Sequence, residues 1–109
     1  CKTRMKWMNR VNRKHAELHL GGPTFRWVHL CLNAVKRLPN IIPRVEIPVL
    51  ILQSEKEKIV DNKKLGELAA RFPNARCETV QNAKHEILFE RDEIRAKVMD
   101  KLRAFYCSC

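Results

Sequence analysis

The stretch Ile47-Pro-Val-Leu-Ile-Leu-Gln53 determines how the rest of the chain is interpreted. It is short, continuous and rich in branched aliphatic residues, which is typical of a strand buried on both faces of a parallel sheet. Pro48 stands near its start, where a strand residue need not donate a hydrogen bond to its neighbour. The stretch therefore predicts a strand in a parallel sheet.

The residues downstream supply a partner for this strand. Residues 62–72 place their apolar side chains on one helical stripe, residues 75–80 form a second short strand, and residues 91–106 form an amphipathic helix. A strand–helix–strand order favours parallel pairing with a right-handed crossover. We predict an α/β fold in which two parallel strands have flanking helices.

The residues upstream are helical and basic. Two helices are predicted, at about residues 3–16 and 24–38, and the break Gly21-Gly22-Pro23 separates them. A linker follows, marked by the three prolines Pro39, Pro43 and Pro48. We expect no regular element to cross residues 39–45. The composition also changes here, which predicts a boundary at about residue 40 between segments 1–40 and 41–109.

The charge is concentrated in the first third of the chain. The 109 residues carry a net charge of +10, and residues 1–38 hold nine Lys or Arg against one acid, Glu17, which gives +8. This excess suggests an anionic partner: nucleic acid, an anionic membrane surface or phosphate head groups. No apolar run approaches the roughly 20 residues that span a bilayer.

The five cysteines have no repeated spacing and no CxxC pair, which favours free thiols.

Chemistry is expected where the two strands end. The carboxyl ends of parallel strands lie on the same edge of a sheet, the usual ligand-binding edge of open α/β sheets. The loop over residues 54–61 is rich in acids, and the loop over residues 81–87 contains His85. An acid that orients an imidazole is two-thirds of a nucleophilic triad. The alternative is an ordinary surface loop with a solvated histidine.

A nucleophile is harder to find. The chain has only Ser54 and Ser108, and neither stands in a G-x-S-x-G elbow of the hydrolase kind. No cysteine follows a strand as a tight turn. The sequence alone therefore predicts an acid and a base without their nucleophile.

Three stretches together resemble a known family: GGPTFRWV (residues 21–28), PVLILQSEKEKIVDN (residues 48–62) and AKHEILFE (residues 83–90). They are similar to the C-terminal part of the α/β-hydrolase fold, as in the bacterial lysophospholipases and their relatives, the monoacylglycerol lipases. The resemblance covers about residues 5–106. It implies a serine esterase whose triad runs serine, acid, histidine along the chain.

The resemblance also implies roles for individual residues. His85 matches the catalytic histidine and Glu57 the acid, with Asp61 as the alternative acid later in the same loop. Relatives commonly have Asp in a G-x-x-D setting, whereas Gln53 and Ser54 stand here where a glycine would be usual. No metal or organic cofactor is implied.

The first segment would correspond to the end of a cap domain over the active site. Four of its residues would line an acyl pocket, although packing within the cap explains them equally well: Phe25, Trp27, Val28 and Leu32. The implied substrate is a lysophospholipid or a monoacylglycerol. The implied location is cytoplasmic and peripheral at the inner membrane, with the basic segment on an anionic surface.

The resemblance implies a part of a hydrolase. We expect a C-terminal fragment that lacks the N-terminal half with its serine and oxyanion hole, and that is inactive alone. One alternative is a small basic nucleic-acid-binding module, although no recognition motif is readable and no specific nucleic acid is expected. Another is a non-catalytic interaction protein that pairs through open strand edges.

Overall fold

A computed structural model describes residues 1–108. Their helices and strands follow one another in the order α1 (Lys2–Lys14), α2 (Phe25–Ile41), β1 (Val49–Ser54), α3 (Asn62–Ala69), β2 (Ala75–Val80) and α4 (Asp92–Ser108). Three 3₁₀ turns complete the described chain: Ala16–Leu18, Ile42–Arg44 and Ile87–Phe89.

The chain divides into two compact units, an N-terminal unit, Cys1–Arg37, and a C-terminal unit that begins at Leu38. The boundary falls within α2. The N-terminal unit holds α1 and most of α2, whereas the C-terminal unit holds both strands and the last two helices. All of the parallel-sheet architecture therefore belongs to the second unit.

The two strands pair in parallel, with Val49 opposite Ala75 and Ser54 opposite Val80. This confirms the predicted fold class, because α3 connects two strands that run in the same direction. Both strands end at the same edge of the sheet, and the loops that follow them start from adjacent positions.

The core lies under the second of these loops. Val80 at the end of β2 and Ala83 in the loop pack with Ile94 and Val98 of α4. Ala83 is fully buried and Val98 is 2% exposed. This small apolar cluster ties the segment before His85 to α4, since burying such side chains is the main favourable contribution to folding.

One prediction about the linker is wrong. Helix α2 passes through Pro39 and ends only at Ile41, and a 3₁₀ turn then covers Ile42–Arg44. The fixed φ of proline is compatible with a helix, and Pro39 removes a single hydrogen bond close to the helix end. Pro43 lies in the first positions of the 3₁₀ turn, where its missing N–H has no helical partner to lose.

Helix α3 is shorter than predicted and ends at Ala69. The next backbone bonds are of the tighter i→i+3 kind, from Arg71 N–H to the Leu68 carbonyl and from Phe72 N–H to the Ala69 carbonyl. Pro73 prevents the helix from continuing beyond this tighter turn, because the residue before a proline, Phe72, is disfavoured in the α region.

Candidate active site at the strand tips

The carboxylate of Glu57 is fixed by its own loop. Its Oε1 accepts the backbone N–H groups of Lys58 and Ile59, each at 2.8 Å. The side chain is only 7% exposed. The Ile59 N–H is the largest influence on this carboxyl, and with His85, Ser54 and Lys58 it lowers the pKa of Glu57 from 4.5 to about 2, against the opposing effect of burial.

The histidine loop is also held at both ends. Ala83 is buried before it, and the Lys84 N–H donates to Glu90 Oε1 at 2.9 Å. This hydrogen bond is the main reason why the pKa of Glu90 is lowered. The 3₁₀ turn Ile87–Phe89 lies between these two points. His85 therefore lies in a short loop that is fixed by the buried Ala83 on one side and by the hydrogen bond between Lys84 and Glu90.

These two loops bring Glu57 and His85 into direct contact. His85 Nδ1 lies 2.8 Å from Glu57 Oε2. A carboxylate with a pKa of about 2 is ionised at neutral pH and can only accept, so Nδ1 carries the hydrogen of this bond. In neutral His85, Nε2 is then a proton acceptor. The imidazole side chain is 39% exposed, which leaves Nε2 accessible for proton transfer.

Asp61, the alternative acid, has a different place. It is the N-cap of α3, and its Oδ1 accepts the N–H groups of Lys63 at 3.0 Å and Lys64 at 3.2 Å. Asp61 makes no hydrogen bond to His85 within the described residues. An aspartate directly before a helical pattern is the sequence signal for such a cap.

Contacts between the two loops hold the pair in register. The backbone N–H of Lys56 donates to the Ala83 carbonyl at 2.8 Å, and Lys56 Nζ donates to Asn82 Oδ1 at 2.7 Å. The Asn82 N–H donates to Glu55 Oε2 at 2.7 Å. Asn82 has a φ of 61°, a left-handed conformation that asparagine tolerates better than most residues. These hydrogen bonds between the two loops were not predicted from the sequence.

Ser54 is not placed as a nucleophile. It is 2% exposed, and its hydroxyl donates to Glu57 Oε2 at 2.9 Å, so it contacts the acid and not the imidazole. The other serine, Ser108, donates its hydroxyl to the Phe105 carbonyl and not to His85. The absence of a nucleophile from this chain stays a prediction.

The four predicted pocket residues lie on α2 and are all exposed. Phe25 is 98% exposed and Trp27 58%, and Val28 and Leu32 are 39% and 58% exposed. Their role in binding an acyl chain stays a prediction. Thr24 caps this helix, because its hydroxyl accepts the Trp27 N–H at 3.1 Å.

The α/β-hydrolase fold carries its catalytic acid and histidine in this way, on loops that follow strands of a parallel sheet. Residues 2–92 match the family Hydrolase_4, described as serine aminopeptidase, S33, and the chain belongs to this family. Both Glu57 and His85 lie within the matched residues.

Named relatives point in the same direction. The chain is 69% identical over 105 residues to a protein of Haemophilus influenzae named "Probable lysophospholipase L2", which covers 96% of this chain and 34% of that protein. It is 33% identical over 96 residues to "Lysophospholipase L2" of Escherichia coli K12, which covers 82% of this chain and 28% of that protein. The chain thus spans about a third of the length of these relatives.

A solved structure supports the fold. The chain matches the crystal structure of a CIB-like hydrolase from Thermoplasma acidophilum with a TM-score of 0.54 and 22% identity, over 64% of this chain and 34% of that one. At this identity the likeness concerns the fold alone.

Among the helices of residues 1–108, none combines the length and apolar character needed to cross a bilayer.

Proposed function

We propose that this chain contributes the acid and the histidine of a Ser-His-acid triad in a lysophospholipase-like carboxylic ester hydrolase. The observation that carries the proposal is the contact between His85 Nδ1 and Glu57 Oε2, which leaves Nε2 as the accessible proton acceptor. The similarity to two proteins named lysophospholipase L2 supports lysophospholipids as the substrate class, with monoacylglycerols as the related alternative.

In this mechanism, His85 Nε2 takes the proton of a serine supplied by polypeptide outside these 109 residues. The serine oxygen attacks the ester carbonyl carbon, and the tetrahedral intermediate collapses as the C–O bond to glycerol breaks. His85 gives its proton to the departing glycerol oxygen and then activates the water that releases the fatty acid. Glu57 keeps the tautomer correct and stabilises the imidazolium. On this proposal, the 109 residues alone hydrolyse no ester.

The proposal extends to the membrane that holds the substrate. Five exposed cations fall within about 120° on α1 when successive residues are placed 100° apart: Lys2, Lys6, Arg10, Arg13 and Lys14. The one acid of the N-terminal unit, Glu17, lies outside α1 and contacts His15. This basic face of α1 fits an anionic phospholipid surface by charge, in surface contact rather than insertion. Binding to nucleic acid has only the same charge in its favour.

The test is a lysophospholipase assay on the complete hydrolase that contains these residues. His85→Ala is expected to lower kcat by about 10⁴-fold, since loss of a triad member removes proton transfer. His29→Ala is the matched control, because His29 is exposed on α2 and its side chain is hydrogen-bonded to Asn33 rather than to an acid. Normal turnover in His85→Ala would overturn the proposal.

A further inference from the structure

Among residues 1–108, Ser54 is the only polar residue that is buried as a whole, backbone included, at 2% exposed. It is the last residue of β1, opposite Val80 in the sheet. A buried hydroxyl without a partner would destabilise the fold, and here the partner is Glu57 Oε2 at 2.9 Å. The chain thus places a buried hydroxyl donor in hydrogen-bond contact with the acid of the proposed triad.

The hydrogen bonds of the Glu57 carboxylate show what this donor does. Oε1 receives the backbone N–H groups of Lys58 and Ile59, whereas Oε2 receives the Ser54 hydroxyl and His85 Nδ1. Ser54 and His85 therefore share one oxygen. If the plane of the carboxylate made a quarter-turn about its last side-chain bond, Oε2 would lose both contacts together.

Ser54 itself is held on two sides. Its place in the strand fixes its backbone, and the side-chain N–H of Asn62 donates to its carbonyl at 2.8 Å. A donor anchored in this way loses little conformational freedom when it binds the carboxylate, so its orientation is set before any substrate arrives.

We infer that Ser54 is a positioning residue for the hydrolase, which holds Glu57 Oε2 against His85 Nδ1. This inference rests on the proposed function, because the effect of Ser54 on catalysis passes through Glu57 and His85. It also assigns one of the two serines of the chain a role other than that of nucleophile.

The test is a double-mutant cycle in the complete hydrolase. Ser54→Ala is expected to lower kcat about tenfold, the size expected for one lost hydrogen bond to a charged group, with KM unchanged. In a Glu57→Ala background, the same substitution should change kcat by less than about twofold, since the group through which it acts is gone. Ser54→Thr keeps the hydroxyl and should recover most of the activity.

Two outcomes would overturn the inference: wild-type kcat in Ser54→Ala, or an equal fall in kcat in both backgrounds, which would mean a structural role only. Ser108→Ala is the matched control, because its hydroxyl contacts the Phe105 carbonyl at the end of α4, and its kcat should stay normal. If His85→Ala is inactive but Ser54→Ala is normal, only the positioning role fails. If His85→Ala is active, the proposed function itself fails.

Discussion

The two units of this chain carry their functional groups in opposite ways. In the C-terminal unit, the acid at the end of β1 is 7% exposed, and both its oxygens are occupied by hydrogen bonds from the protein. In the N-terminal unit, the basic residues of α1 and the large apolar residues of α2 are mostly exposed.

This difference matters for how function is inferred. A site whose partners lie within the chain, such as Glu57 with His85, can be argued from distances and hydrogen-bond donors. A surface whose partner lies elsewhere can be argued only from charge and polarity, which define a class of partner. The proposed catalytic chemistry of the C-terminal unit is therefore better supported than any binding role of the N-terminal unit.

The largest expected effect separates the two candidate acids of the loop, Glu57 and Asp61. Glu57→Ala in the complete hydrolase should lower kcat by about 10³-fold or more, because the imidazole loses the carboxylate that orients it. Asp61→Ala should leave kcat normal and cost about 1 kcal/mol of unfolding free energy, since it removes a helix cap. Kinetics and thermal unfolding measure the two. A normal kcat in Glu57→Ala would contradict the assignment of the acid.

The next effect concerns the basic face of α1. Changing Arg10, Arg13 and Lys14 to Gln should weaken binding to vesicles rich in phosphatidylglycerol by about 100-fold, at roughly 1 kcal/mol for each cation. Binding to neutral phosphatidylcholine vesicles should be weak for both proteins. Co-sedimentation at low and high salt measures this, because such attraction is screened by salt.

The matched control for this surface removes three cations from the other unit: Lys63, Lys64 and Arg71, all exposed. Their change to Gln should leave vesicle binding nearly intact. Equal losses in the two triple variants would mean that net charge, and not the face of α1, attracts the membrane. Equal binding of the wild-type protein to random DNA would favour the nucleic-acid alternative.

A third prediction compares the packing of the two units. Val98→Ala should destabilise the protein by roughly 2 kcal/mol, because Val98 is 2% exposed and packs under the histidine loop. Val35→Ala on α2 should cost less than about 0.5 kcal/mol, since Val35 is 53% exposed. Denaturant unfolding gives both values. A larger loss for Val35 would show that this surface is covered in the complete protein.

The smallest effect is on the pH dependence of stability. The pKa of Glu57 is lowered from 4.5 to about 2 in the folded chain, with the Ile59 N–H as the main cause. Its stabilisation is therefore fully present above about pH 4.5 and is lost as the pH falls through about 2. Glu57→Gln should flatten the unfolding free energy over this window. An unchanged slope would contradict the lowered pKa.

Part of this structure follows from the sequence by simple rules. The apolar run at residues 47–53 and the strand at 75–80 predict a parallel pair, and their order predicts that the acid loop lies beside the loop of His85. The contact of His85 with Glu57 is observed, whereas their catalytic roles remain a proposal. The family resemblance selected Glu57 from a loop with several acids.

Other features of the structure depend on three-dimensional contacts that sequence patterns do not predict. Pro39 was expected to end a helix, yet α2 continues past it, because one lost hydrogen bond near a helix end is tolerated. Asn82 contacts Glu55, which is 27 residues away along the chain, so this hydrogen bond forms only when the two loops have come together. Ser54 is only three residues from Glu57, but no sequence pattern marks a serine as the hydrogen-bond partner of an acid.

The most direct test of the account is the tautomer of His85 in the complete hydrolase, measured by ¹⁵N NMR of its ring at a pH where the imidazole is neutral. A free histidine favours the form with hydrogen on Nε2. The account predicts hydrogen on Nδ1, bonded to Glu57, and loss of this preference in Glu57→Ala. Hydrogen on Nε2 in the wild-type protein would contradict the proposed base.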